Sequence, residues 1–311
     1  MTKRERVLAA ISGRPVDRLP YTLWHHFYLN PAAGEEMARQ ELQFYHTFDP
    51  DIFKVMHDID YEMPEGLQKV STPEDWDKLK VLDGKSGNFG EQLKTLKIIR
   101  EKMGDDGILL DTIFSIHSTA EKVTGKRTHE LLLLDPEAAH RGFKVIALSL
   151  ANYATALIEA GMDGIYMAIS GAASDSMSND VYHRNYLQYD QQILAAAKDA
   201  AVNVVHHHGV GVYPDLVLSL KGWHAYSWSG QVKGNPGLRE MRLKTEKCLM
   251  CGVDETTFEH KSPGEIAQEV KTAISDTNGI GLIIAPGCSV PMPPESSEAQ
   301  MKAFRLGVEG S

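Results

Sequence analysis

Glu159-Ala160-Gly161-Met162-Asp163-Gly164-Ile165-Tyr166-Met167-Ala168-Ile169 reads as the end of a helix, a glycine stop and an apolar run of strand character. Upstream, Pro136 suits the first turn of a long helix that runs to about Ala160, and Gly161 supplies its C-terminal stop. Downstream, Val202–His206 is the next apolar run. Apolar runs that alternate with longer segments of helical periodicity are the rhythm of repeated β-α units and a parallel sheet. Working outward in both directions finds eight runs, rich in β-branched and aromatic residues. They are Leu19–Trp24, Ile52–Met56, Ile108–Phe114, Gly164–Ile169, Val202–His206, Ala225–Ser229, Lys247–Val253 and Gly281–Gly287. Eight strands, each followed by a helix, predict an α/β fold of the closed (β/α)8 TIM-barrel type. Thr2 ahead of an N-terminal amphipathic helix, and Ser262-Pro263 ahead of one carrying Ile266, Val270 and Ile274, fit this pattern.

The chain has 311 residues, and such barrels need about 250 as one unit, so a single domain over 1–311 is expected. The segment 61–88, with Pro64, Gly66, Pro73, Gly84 and Gly87, is the longest stretch between runs and is expected to form an excursion or lid. A hydrophobic fraction of 42% with 24% charged residues supports a large core. The net charge of -10 and the scatter of the lysines and arginines disfavour nucleic-acid and anionic-membrane partners. No signal-peptide pattern and no bilayer-length apolar stretch is seen, so a cytoplasmic location is expected. Cys248, Cys251 and Cys288 are too few for a disulfide framework and are expected to be reduced. Although Cys248 and Cys251 have Cys-x-x-Cys spacing, they sit within the seventh run and are read as core.

Barrel enzymes place their chemistry at the C-terminal ends of the strands. That rule selects His25 and His26 after the first run, His57 and Asp58 after the second, His117 after the third, His206 to His208 after the fifth, and Cys288 after the eighth. Val204-Val205-His206-His207-His208-Gly209 is the strongest local signal. Side chains alternate along a strand, so His206 and His208 should share one side and His207 the other. Two imidazoles and the Cys288 thiolate form a nitrogen–nitrogen–sulfur set that suits zinc and leaves one tetrahedral position open, as catalysis requires. The plainer readings are three histidines that hydrogen-bond a substrate without metal and a cysteine that fills core space. Candidate catalytic residues are His57, Asp58 and His207, and candidate substrate contacts are Trp24, His25, His26, Tyr28 and His117. Trp223 and Trp228 are read as pocket wall or core.

Several segments together resemble the uroporphyrinogen decarboxylase superfamily over nearly the whole chain. They are Thr2 to Ala10 with Gly13 to Pro20, Asp49-Pro50-Asp51-Ile52-Phe53 before His57-Asp58, and Glu159 to Ile165. To these are added Cys251-Gly252-Val253-Asp254 with Ser262 to Ile266, and Ala285 to Pro291 with Pro294-Glu295. The decarboxylases of that superfamily carry an arginine-rich stretch where this chain has Leu23-Trp24-His25-His26-Phe27-Tyr28-Leu29, so uroporphyrinogen lacks its charge partners here. The resemblance is nearer to the zinc-dependent, corrinoid-linked methyltransferases, which bear His-x-Cys and a later Gly-Cys. His206 and Cys288 match two of those positions, and His208 stands where the middle cysteine would be.

The resemblance implies zinc on His206, His208 and Cys288, a small methyl donor or acceptor, a corrinoid supplied by a partner protein, and a homodimer. Exchange of a thiolate for a neutral imidazole makes the site one charge more positive, which weakens the case for a thiol acceptor and opens the way to oxygen- or nitrogen-bound methyl groups. Two further readings stand beside this one. The first is a decarboxylase or other lyase acting on a small acid through Asp58 and the mouth histidines, with Arg184 holding the carboxylate. The second is a barrel that binds metal or ligand without catalysis.

Overall fold

In the computed structural model, which describes residues 1–309, seven strands follow one another around a single sheet in sequence order, every neighbouring pair parallel. They are β1 (Ile52–Val55), β2 (Ile108–Phe114), β3 (Gly164–Ile169), β4 (Val204–His207), β5 (Ala225–Trp228), β6 (Cys248–Val253) and β7 (Leu282–Pro286). Helices fill the connections. The longest, Pro136–Glu159, starts where the sequence reading put it, with Asp135 accepting the Ala138 N–H and Pro136 in the first turn. Its chain reverses at Gly161, whose φ of +88° only glycine adopts without strain.

The first expected run, Leu19–Trp24, is a correction: it makes a single parallel bridge, Tyr21 to Ile284, and no regular strand. A few backbone bonds, supplemented by side chains, hold it in the gap between β7 and β1. Ile284 N donates to Pro20 O and Thr22 N to Ile284 O on one side, and Asp51 N donates to Tyr21 O on the other. Pro20 has no N–H to give. The Tyr21 N–H goes to the Asp51 carboxylate at 3.1 Å, and the Thr22 hydroxyl donates to Ile52 O. Asp51, fully buried, also accepts from Arg6 at 2.5 Å and Arg18 at 2.7 Å. The barrel therefore closes through one buried carboxylate as much as through a backbone ladder.

Alternation along each strand separates two cores. Ile52, Leu110, Tyr166, Val204, Ala225, Cys248, Met250, Ile283 and Ala285 fill the barrel interior with Trp24 and Met56. Phe53, Val55, Leu109, Ile165, Val205, Tyr226, Leu249, Cys251 and Ile284 face the helices. Cys248 and Cys251 thus lie in different cores, three residues apart on opposite faces of β6. The segment 61–88 runs along the helix Pro136–Glu159: Tyr61 OH and Leu82 N both donate to Ser149 Oγ, and Trp76 stacks edge-on against Phe143. No helix of the described residues is long and apolar enough to cross a membrane.

Glu41 is a buried carboxyl in the outer layer, and burial pushes its pKa up to about 8. Its Oε1 accepts the Met56 N–H at 3.1 Å. The unfolded chain loses this proton near the ordinary carboxylate value while the fold retains it, so stability is full below that range and falls as pH rises towards 8. Asp190, buried and raised to about 7, acts in the same direction. Glu41→Gln is expected to flatten the decline between pH 5 and 8, removing on the order of 1 kcal/mol per pH unit. Melting temperatures of both proteins across that range measure it.

Candidate metal centre

β4 ends in Val204-Val205-His206-His207, and its alternation decides what the three histidines do. His206 points into the barrel. Its Nδ1 meets Ser227 Oγ of β5 at 3.2 Å, and its Nε2 is buried with no hydrogen-bond partner. His208, one step beyond the strand, faces the same way, and its Nδ1 lies 3.9 Å from Cys288 Sγ, carried just past β7. One ligand atom from each of His206, His208 and Cys288 falls within 4.8 Å of the others. Two neutral nitrogens and a sulfur at that spacing, with one nitrogen left unsatisfied, fit a tetrahedral zinc ion. Burial would push the Cys288 thiol up, but the two facing imidazoles, His206 first, outweigh it and hold the thiol well below its ordinary value. Hydrogen bonding to Cys288 holds His208 up, while burial pushes His206 down.

His207 is turned to the other face of β4, as alternation requires. Its Nδ1 meets Tyr226 OH at 2.8 Å and its Nε2 meets Ala172 O at 2.7 Å, and burial pushes its pKa down to about 3. Its expected catalytic role is therefore corrected: both nitrogens are occupied, and the ring sits between sheet and helices. His207→Ala is expected to cost about 2–4 kcal/mol of stability, by opening a cavity and stranding the Tyr226 hydroxyl, while leaving metal content unchanged. Chemical denaturation beside elemental analysis separates the two effects.

The donor set lies in the wall of a cavity of about 310 Å³ at the C-terminal ends of the strands. Trp24, Met56, Phe114 and Tyr166 supply apolar walls, and Lys54, Thr112, Ser118, Glu121, Lys122 and Ser170 supply polar groups. Trp24 meets Tyr166 edge-on at 5.3 Å. His26 also lines this cavity, and its Nδ1 lies 2.8 Å from Asp58 Oδ1, a pairing that holds the Asp58 carboxylate low against the effect of burial. Tyr28, 80% exposed and at a φ of +51°, stacks on His26 at the rim.

The remaining predicted residues lie elsewhere. His25 faces a second cavity with Phe27, Phe44 and Met301, and burial lowers its pKa to about 4. His57 is bound to the buried Asp111 at 3.2 Å, beside a small side chamber with Phe89 and Tyr153. His117 lies within 3.3 Å of Ser170 Oγ and packs on Tyr186, behind the cavity wall. Because the chain leaves the strands at these points, alternation no longer governs the side chains. Trp223 and Trp228 are core, their indoles donating to Leu220 O and Pro236 O. Arg184 donates to Asp180 O on its own helix and does not line the cavity.

Lys54, Glu121, Lys122 and Glu255 are the groups that the sequence reading missed. Lys54 sits in the middle of β1 and points inward. Glu255 accepts the Ser229 hydroxyl on Oε1, its buried Oε2 has no hydrogen-bond partner, and burial raises its pKa. Period-2 reading of Ile52-Phe53-Lys54-Val55-Met56 puts Lys54 on the face of Ile52 and Met56, the one signal that could have found it.

Fold and site together define a parallel β/α barrel with a His–His–Cys donor cluster at the C-terminal mouth of its strands. The model of the uroporphyrinogen decarboxylase (URO-D) family matches residues 2–308, and the chain belongs to that family. It is 23% identical over 320 residues to the methylcobamide:CoM methyltransferase MtbA of Methanosarcina acetivorans, covering 93% of each chain. The Methanosarcina mazei protein of the same name is 24% identical over 235 residues, which is 66% of this chain and 69% of the relative. Among solved structures, a methyltransferase from Methanosarcina mazei superposes with a TM-score of 0.81 at 20% identity, covering 100% of this chain and 99% of that one.

Proposed function

We propose that this protein is a zinc-dependent methyltransferase that moves a methyl group between a heteroatom of a small substrate and a corrinoid carried by a partner protein. The observation that supports it most is the buried, unpartnered Nε2 of His206 beside His208 and Cys288 in the wall of the cavity at the barrel mouth. Similarity to methyltransferases over almost the whole chain supports the reaction class. His206, His208 and Cys288 would hold the metal, which when bound would supply a Lewis acid able to stabilise negative charge on a substrate heteroatom.

The chain's own residues do the rest. Ser227 fixes the His206 ring through Nδ1 and leaves Nε2 for the metal. Trp24, Phe114 and Tyr166 exclude water from the substrate, which strengthens every charge interaction inside. His26, tied to Asp58, stands at the rim as a group able to hold a proton between solvent and cavity. No corrinoid-binding Asp-x-His-x-x-Gly signature occurs in the chain, so the corrinoid is assigned to a partner.

His206→Ala is expected to lower methyl transfer from free methylcobalamin, or in the reverse direction to free cob(I)alamin, by roughly a hundredfold or more. Turnover equal to that of the unaltered protein would overturn the role given to the donor cluster.

A further inference from the structure

A second cavity, of about 270 Å³, is lined by residues of the helix Glu35–Phe48, the helix Glu298–Glu309 and the loops before each. Phe27, Phe44, Phe48, Met292 and Met301 supply its apolar walls, and Gln40, Gln43 and Thr47, none of them buried, give it a polar edge. Two short stretches of chain stand between it and the cavity that holds the donor cluster. Trp24 and His26 line the first cavity, while His25 and Phe27 line the second. In the same way Ser289 lines the first and Met292 the second. Val290 N donates to Trp24 O at 2.9 Å and ties the two stretches into one partition.

His25 is the polar group that this arrangement leaves unexplained. It is 6% exposed, and its Nδ1 is buried with no hydrogen-bond partner among the described residues. Phe27 and Phe44 pack on its ring, with centres 4.3 and 4.8 Å away. Burial lowers its pKa to about 4, and the His26 backbone, which opposes that shift, forms no hydrogen bond to Nδ1. The imidazole is therefore neutral at neutral pH. A buried nitrogen without a partner is costly, and few native groups are left so. Glu298, the one carboxylate in the lining, is paired with Lys302, so the cavity offers no free charge to an ion.

An occupant has to cover aromatic and methionine walls and satisfy one neutral imidazole nitrogen. Phenylalanine rings and methionine sulfur favour an aromatic body. A neutral imidazole carries its proton on one nitrogen or the other, and a hydroxyl, which both donates and accepts, meets Nδ1 in either tautomer. We infer that the second cavity is a binding site for a small uncharged aromatic molecule whose single hydroxyl hydrogen-bonds to His25 Nδ1. The site is separate from the donor cluster and does not depend on the zinc-site reading.

Benzyl alcohol and ethylbenzene serve as probes, because they match in shape and differ in the hydroxyl. Each is titrated into the metal-free chain with isotope-labelled methionine methyl groups, and the methyl signals are followed by NMR. The signals of Met292 and Met301, assigned with Met292→Leu and Met301→Leu, are expected to shift and saturate at roughly millimolar benzyl alcohol. That of Met56, in the wall of the first cavity, should stay in place. The two probes also differ in their partition from water, but that difference is common to every variant. The ratio of their affinities, compared between the unaltered chain and His25→Phe, therefore reads the hydrogen bond itself. His25→Phe keeps a ring in place, and the preference for benzyl alcohol over ethylbenzene is expected to fall roughly tenfold in it.

If His25→Phe does not fold, as circular dichroism will tell, His25→Leu serves in its place. Unmoved Met292 and Met301 signals up to the solubility of both probes would overturn the inference. So would an affinity ratio that is the same with and without the imidazole. Shifts confined to Met56 would overturn it as well, since they put the probe in the first cavity.

Discussion

Cys288→Ser is expected to reduce the zinc retained after dialysis from about one ion per chain to a small fraction, an affinity loss of roughly a hundred- to a thousandfold. The thiolate supplies the only negative charge in the proposed donor set, and a serine hydroxyl stays protonated beside two neutral imidazoles. The fold should tolerate the change. Cys288 lies beyond the end of β7, and its exchange for an oxygen of similar shape disturbs no ladder. His208→Ala should empty the site to a similar degree, and His207→Ala should not, because its ring lies on the far face of β4. Elemental analysis of the three variants reads this contrast directly. Retention of stoichiometric zinc by Cys288→Ser and His208→Ala alike would refute the assignment.

The largest expected loss of stability is at Asp51, far from the cavity. Its buried carboxylate accepts from Arg6, Arg18 and the Tyr21 backbone, so it joins the first helix, the segment 18–21 and the start of β1. Asp51→Ala removes the carboxylate that Arg6 and Arg18 share, leaving Arg6 on Asp17 and Arg18 on Leu19 O, and takes away the acceptor of the Tyr21 N–H beside the bridge that closes the barrel. Breaking a buried pair on one side costs about 3–5 kcal/mol. For a chain of this size that corresponds to a fall in melting temperature of roughly ten degrees. Asp51→Asn, which can still accept one hydrogen bond, should lose less. Thermal denaturation of both variants measures the difference, and a fall of only a degree or two for Asp51→Ala would show that the ladder alone closes the barrel.

Legibility differed by residue for physical reasons. Runs such as Gly164–Ile169 and Cys248–Val253 stand out because strands buried on both faces are apolar throughout. His206 and His208 could be placed on one side because a period of 2 holds to the end of β4. At Trp24 to Tyr28 and at His57 and His117 the backbone has left the strand, and the sequence rule had nothing to act on. Hence His26 lines the cavity, whereas His25 faces a different cavity and His57 a side chamber. Lys54 was hidden for the opposite reason. A single lysine in an apolar run reads as an edge or a solvent contact until closure of the barrel encloses it.

What the sequence determined by itself was local: helix starts set by Asp135-Pro136 and Ser262-Pro263, a reversal at Gly161, the order of the β-α units, and the sharing of one strand face by His206 and His208. These follow from backbone geometry and neighbouring side chains, which a few residues encode. The strand-end rule put Cys288 at the same mouth as His206 and His208, but only tertiary structure brings it, 80 residues beyond His208, to 3.9 Å from that ring and sets Lys54 in the same cavity wall. It also decided that a buried aspartate supplements the short backbone ladder where the barrel closes. Each of these depends on which elements become neighbours when the sheet closes, and that is a property of the whole chain packed together.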